Sequence, residues 1–187
     1  MKKIFLLIIF SFGLSFGQTE FKFGENGVNK FTVTEVPGKT ATEIYQKSIE
    51  WIKKTYVGPD QVIITTVEND YIRFQGIGKN IYCVNAMGKN CDDIKYTIEL
   101  NFKDDKFKTE IIQVERHATT SIAPFTKYWS DMTKFYFTKN SDLYNNKGEI
   151  RSRFATYSSE FIGYFNSLNS DLKNYVLGTS EKSNKDW

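Results

Sequence analysis

The residues of this 187-residue chain best suited to nucleophilic or metal chemistry are Cys83, Cys91 and the sole histidine, His117. A structural zinc centre needs four Cys or His ligands, and these three fall short. A Ser-His-Asp triad would have to run through His117, yet the chain has neither a Gly-x-Ser-x-Gly elbow nor a His-Glu-x-x-His run. Cys-His catalysis needs a free thiolate. The carboxylate pairs Asp92-Asp93 and Asp104-Asp105 fall between extended segments, where Asp serves turns through local hydrogen bonds. Gly76-Ile77-Gly78-Lys79 has the residue types of a phosphate loop without its spacing or its following helix, and reads as a strand end or bulge. The expectation is therefore no catalytic residue, no metal and no cofactor, and a protein that is not an enzyme.

Whether the two thiols are free depends on compartment. Met1-Lys2-Lys3 is a basic start, Ile4 to Phe10 with Phe12, Leu14 and Phe16 is an apolar run, and Ser15 and Gly17 are small. This order predicts an export signal over residues 1–17, cut before Gln18. The apolar run is shorter than the roughly 20 residues a spanning helix needs. No cysteine lies near the cut, so a lipoprotein anchor is not expected, and no later stretch is apolar enough to cross a membrane. The mature chain is expected to be periplasmic or secreted, without a transmembrane segment. Export permits disulfides. Cys83 and Cys91 are separated by Val-Asn-Ala-Met-Gly-Lys-Asn, a spacing that predicts a bridge closing the connection between neighbouring strands. His117 follows a strand and reads as a surface residue.

Composition narrows the partners. Sixteen Phe, 11 Tyr and 3 Trp give ample material for a core. Without Lys2 and Lys3 the chain has 23 basic against 22 acidic side chains, a net charge of +1. That balance offers no basic face for nucleic acid.

The elements that would position these residues are legible in the patterning. Lys30 to Val36 alternates as a strand, and Pro37-Gly38 breaks it. Thr40-Ala41-Thr42-Glu43 is a capping box; Ala41, Ile44, Tyr45, Ser48, Ile52 and Tyr56 follow with helical spacing until Gly58-Pro59. Strands are predicted at Gln61–Glu68 and Tyr71–Gly78, around a turn at Asn69-Asp70, and a short one at Ile81–Val84. In Asp93–Lys103, Ile94, Tyr96, Ile98, Leu100 and Phe102 share one face, and Lys95, Thr97, Glu99, Asn101 and Lys103 the solvated one. A turn at Asp104-Asp105 returns the chain as Lys106–Arg116, placing Phe102 opposite Phe107, Leu100 opposite Thr109 and Ile98 opposite Ile111.

Phe125, Tyr128, Trp129, Met132 and Tyr136 fall at helical intervals after Pro124, predicting a short helix, and Asp142 to Gly148 reads as a polar loop. A long helix is predicted over Glu149–Val176, with Ile150, Phe154, Tyr157, Phe161, Phe165, Leu168, Leu172 and Tyr175 in one stripe and Gly178 ending it. The class is α+β: an antiparallel sheet covered on one face by two helices, the C-terminal one long. The predicted organisation is a signal at 1–17, an N-terminal segment at 18–29, one domain at 30–178 and a flexible tail at 179–187.

The run Val36-Pro37-Gly38-Lys39-Thr40-Ala41-Thr42-Glu43-Ile44-Tyr45, then Trp51-Ile52, Tyr56 and Ile94-Lys95-Tyr96-Thr97-Ile98 before a charged hairpin, resembles one bacterial family. It is the domain of unknown function with a TATA-box-binding-protein-like (TBP-like) fold found in exported proteins, and the resemblance is best over Lys30–Phe107. It implies a β-α-β(4)-α fold and no activity.

Two binding readings follow. In the first, the chain is an exported, non-catalytic interaction module for an unidentified envelope protein; the six aromatics between Phe125 and Phe137, Phe125 and Trp129 among them, either cap an open edge of the core or form a protein contact or the mouth of an apolar ligand site. In the second, it carries a small apolar ligand in a cavity between sheet and last helix, walled by Tyr96, Ile98, Ile111, Phe161 and Phe165. A filled core with an exposed aromatic patch favours the first, and an empty apolar cavity the second.

Overall fold

A computed structural model of the chain describes residues 18–24, 26–85, 88–120, 123–139 and 143–179. The expected signal with its cut before Gln18, and the tail from 180 onward, lie outside the described residues.

Two short strands, β1 (Phe23–Gly24) and β2 (Gly27–Val28), pair with each other and precede β3 (Phe31–Glu35). Then come helix α1 (Ala41–Thr55), a single turn α2 (Pro59–Val62), and strands β4 (Ile63–Val67), β5 (Tyr71–Asn85), β6 (Lys89–Lys103), β7 (Lys106–Thr119) and β8 (Lys127–Asp131). Helix α3 (Thr133–Phe137) and a 3-10 turn (Ser152–Phe154) lead into α4 (Ala155–Leu177). The sheet is antiparallel, in the order β3-β7-β6-β5-β4, and β8 pairs with β7 beyond the reach of β3.

The capping box forms as the sequence predicts. The Glu43 amide donates to the Thr40 hydroxyl at 3.2 Å, and the Thr40 amide donates to the Glu43 carboxylate at 2.9 Å. The Asp104-Asp105 turn adds to it. Asp104 accepts the free amide of Ala41 at 2.8 Å and Asp105 that of Gly38 at 2.6 Å, tying the β6–β7 hairpin to the start of α1. The hairpin register is the predicted one: Phe102 opposite Phe107, Leu100 opposite Thr109, Ile98 opposite Ile111. A bulge beyond Ile98 then skips Ile112.

Several boundaries differ from the sequence reading. Strand β6 starts at Lys89 rather than Asp93, which puts Asp92-Asp93 in a strand and not in a turn, and β7 runs on to Thr119. Pro59, well suited to a first helical position, opens the turn α2, so β4 starts at Ile63 rather than Gln61. The stretches 71–78 and 81–84 are one strand, β5, interrupted by an irregularity between Gly78 and Tyr82 at which Asn80 takes φ 57°. The long helix starts at Ala155, because Ile150 instead forms a β-bridge with Tyr144. Residues 127–131 are strand, not helix: their aromatic spacing suits either, and the free edge of β7 decides it.

Cys83 and Cys91 are directly paired across β5 and β6 and joined by a disulfide, with Cα atoms 4.1 Å apart. Closing so short a loop contributes about 2–3 kcal/mol on the chain-entropy estimate.

Both long helices cover the same face of the sheet. Ile44, Trp51 and Ile52 of α1 and Tyr157, Phe161, Phe165 and Leu172 of α4 are buried against Ile72, Phe74, Ile94, Tyr96, Ile98, Leu100 and Ile111. Large side chains so buried contribute about 1.5–3 kcal/mol each. Near β3 a buried amide bridges sheet and helix: Asn169 accepts from the Thr109 hydroxyl and donates to that of Thr34, both at 2.7 Å. Phe21 and Val28, before β3, are buried in the same core. Among the described residues no helix is long and apolar enough to cross a membrane.

Candidate functional site

The alternation of β6 that buries Ile94, Tyr96 and Ile98 directs Lys95, Thr97 and Glu99 to the opposite face, where Thr97, at 6% exposure, is covered rather than solvated. No helix of the described residues lies on that face. Its charges are matched, across strands for Lys95 with Glu115 and along β7 for Lys108 with Glu110. Lys95 pairs with Glu115 at 2.7 Å, and Lys108 with Glu110 at 2.6 Å. Arg73 donates from Nε to Glu99 at 2.8 Å, and the Tyr71 hydroxyl donates to the same carboxylate oxygen at 2.9 Å. Glu99 is thus a half-buried carboxylate held through one oxygen, Oε1, and not the freely solvated one its alternation suggests. Burial first, and then the bond to Glu99, raises the Tyr71 phenol above its ordinary value.

Apolar and aromatic groups stand among these pairs. Ile77, directly opposite Lys95, is 54% exposed, and Phe31 at the other end is 40% exposed. Between β7 and β8, Trp129 lies against His117 with ring centroids 4.6 Å apart and planes 17° from parallel. The Lys95 ammonium sits 5.0 Å from the Trp129 ring centroid, within cation–π range. Phe125 and Tyr128 are exposed nearby along the chain. Trp, Tyr and Phe set among hydrogen-bonded polar groups are the usual composition of a protein contact surface.

The residues named from the sequence divide into two groups. Tyr96, Ile98, Ile111, Phe161 and Phe165 come together in the core, each at most 2% exposed. Phe161 stacks on Tyr136 at 3.9 Å, and Phe165 meets Tyr96 edge-on at 5.3 Å and Phe21 at 6.1 Å. Rings therefore occupy the interface in which a ligand cavity was the alternative. Phe125 and Trp129 lie outside that core, Phe125 at 71% exposure and Trp129 on the open face.

Within the core the Tyr96 hydroxyl bonds those of Tyr56 and Tyr164, each at 2.8 Å. Burial raises all three phenols above their ordinary value. They stay protonated and act as hydrogen-bonding core groups rather than as acids.

The family model for a domain of unknown function (DUF4468) with TBP-like fold matches residues 31–115, from β3 through most of β7. That stretch, 85 of the 187 residues, is similar to this family's domain. A crystal structure of a DUF4468 family protein from Bacteroides ovatus is similar, with a TM-score of 0.58 at 15% identity, over 80% of this chain and 86% of that one. A TBP-like protein from Parabacteroides distasonis is similar with a TM-score of 0.50, also at 15% identity, over 78% of this chain and 90% of its own. At such identity the likeness shows the fold alone. No curated protein matches the chain. The observed order contains the β-α-β(4)-α of this bacterial family, with β8 and α3 added before the last helix.

The sequence reading missed two features of this sheet. His117, read as surface decoration, is the platform for Trp129; the pairing of β7 with β8 that joins them is non-local. The paired glycines at 76 and 78 have steric roles. A Cβ on Gly76 would lie 2.4 Å from the Tyr96 hydroxyl, and one on Gly78 would lie 3.0 Å from the Tyr164 ring. Glycine opposite an aromatic on a neighbouring strand is the signal that could have revealed the first.

Proposed function

We propose that this protein is an exported, non-catalytic binding module of the cell envelope, and that the open face of its sheet receives a protein partner. The observation that carries this reading is the contrast between the two faces. The helix side is filled with rings, while the open side sets Trp129, Ile77 and Phe31 among paired charges. Matched charges give that face directional polar contacts without a basic field, which supports a protein partner over nucleic acid. The Cys83–Cys91 disulfide and the signal-like residues 1–17 support export. The alternative, a carrier of a small apolar ligand, has less support because Phe161, Phe165, Tyr136 and Tyr96 already pack against one another.

Photo-cross-linking in the producing cell tests the proposal. A photoreactive side chain at position 77 should join the chain to one discrete protein, and Trp129→Ala should abolish that product. The same group at Asn174, exposed on α4, should yield none. Equal yields from both positions would overturn the assignment of the face.

A further inference from the structure

The two flanks of the sheet end differently. Beside β3, residues 18–22 run antiparallel to 29–33: the Val33 amide donates to the Gln18 carbonyl at 2.7 Å and the Asn29 amide to the Lys22 carbonyl at 3.2 Å. The Asn166 side chain secures this strap by bonding both the amide and the carbonyl of Phe21, at 2.8 and 3.0 Å. On the same flank β8 carries charges at both ends, Lys127 and Asp131. The opposite flank is β4, whose one neighbour among the described residues is β5.

Exposed edges are normally blunted by lysine, proline, a bulge or a cover. From Gln61 to Val67 there is no charge, proline or glycine. Ile64 and Val67 are 52% and 54% exposed. A bulge at Ile64 is present, but Thr65–Val67 continue in regular register beyond it.

A groove runs beside this edge, between α1 and β4. Tyr45, Ile49 and Ile63 form its apolar floor. Tyr45 packs on Phe102, near the turn that follows β4, and Tyr56 packs on Phe74, the residue opposite Ile63. The α1 helix therefore runs antiparallel to β4, with Lys53 and Asp60 at the Ile63 end of the groove and Glu68 at the other.

We infer that β4 is a self-association edge, and that its occupant is the β4 strand of a second copy, added antiparallel about a two-fold axis near Thr65-Thr66. Self-pairing there sets Ile64 against Val67 and Thr65 against Thr66, the β-branched and Thr–Thr pairs that stabilise antiparallel neighbours. The two-fold brings the Lys53 end of each groove to the Glu68 end of the other, so one attraction is made twice. Asp60 shares the Lys53 end, which leaves Lys53 to supply the attraction. A mature net charge near zero does not oppose association. This edge is separate from the open face proposed above for a different partner, and each assignment can fail alone.

Light scattering over a dilution series of the mature chain is the test, with hydrogen exchange at Thr65–Val67. The wild type should be a dimer that dissociates on dilution, and its β4 amides should exchange more slowly when dimeric. Ile64→Lys with Val67→Lys should be monomeric throughout, with the melting temperature of the dilute wild type confirming its fold. Lys53→Glu should weaken the dimer, and Lys53→Glu with Glu68→Lys should restore it. A wild type monomeric at every concentration would overturn the inference, even if it binds a synthetic Gln61–Glu68 peptide. So would a dimer that survives the double lysine variant, or a charge swap that restores nothing.

Discussion

Trp129 of β8 stacks on His117 of β7, with 4.6 Å between ring centroids. The two residues are joined across a pairing that the sequence does not announce, and together with Lys95 they make an aromatic–cationic cluster on the open face. The stack holds the indole in place without burying it, and leaves Trp129 available to a partner.

His117→Ala should therefore cost about 0.5–1.5 kcal/mol, the range of an aromatic pair, and Trp129→Ala about the same. Urea denaturation of the two variants measures this. A loss of 3 kcal/mol or more, the scale of a core aromatic truncation, would make Trp129 a core residue and remove it from the binding surface.

Ile98→Asp should unfold the domain or cost more than about 4 kcal/mol, since it buries a carboxylate at a site with no exposure. Glu99→Ala one position on should cost about 0.5–1.5 kcal/mol, because Glu99 holds Arg73 and Tyr71 rather than standing free in water. Equilibrium denaturation of both compares the two faces. Equal losses would contradict the assignment of helix side and open side.

Much of this fold is legible from residues close in sequence. The capping box at Thr40 and Glu43, the alternation of β6 and the Phe102–Phe107 register each rest on neighbours within one element or hairpin. The start of α4 and the identity of β8 are not legible in that way. Ile150 bridges to Tyr144, and Trp129 pairs back to β7, so long-range pairing overrides a helical spacing in both. The candidate site divides similarly. Trp129 and Phe125 are visible as aromatics, whereas the Glu99–Arg73 and Lys95–Glu115 pairs depend on which strands become neighbours.

Phe161→Ala and Phe165→Ala should each cost about 3–5 kcal/mol, since both rings are fully buried against other rings. Thermal or chemical unfolding of the apo protein decides this. Tolerance of either change, coupled to altered uptake of an apolar probe, would restore the carrier reading.

Stability should fall at alkaline pH. Burial, as the first cause, raises the phenols of Tyr56, Tyr96, Tyr136, Tyr157 and Tyr164 above their ordinary value near 10. Each holds its proton more tightly when folded. Their contribution is complete below about pH 10 and is lost as pH rises from there towards the folded values, because the unfolded chain ionises first. Denaturation midpoints measured across that range should decline, with tyrosinate absorbance appearing together with unfolding. A flat profile would mean these hydroxyls are not buried.

Native mass spectrometry of the chain recovered from the producing cells tests the central claim most directly. The account predicts the mature chain together with a second, different polypeptide, and loss of that added mass in the Trp129→Ala, Ile77→Lys variant. A small organic molecule retained by that variant and lost from Phe161→Ala would contradict it, because the ligand would then lie between sheet and helix and not on the open face.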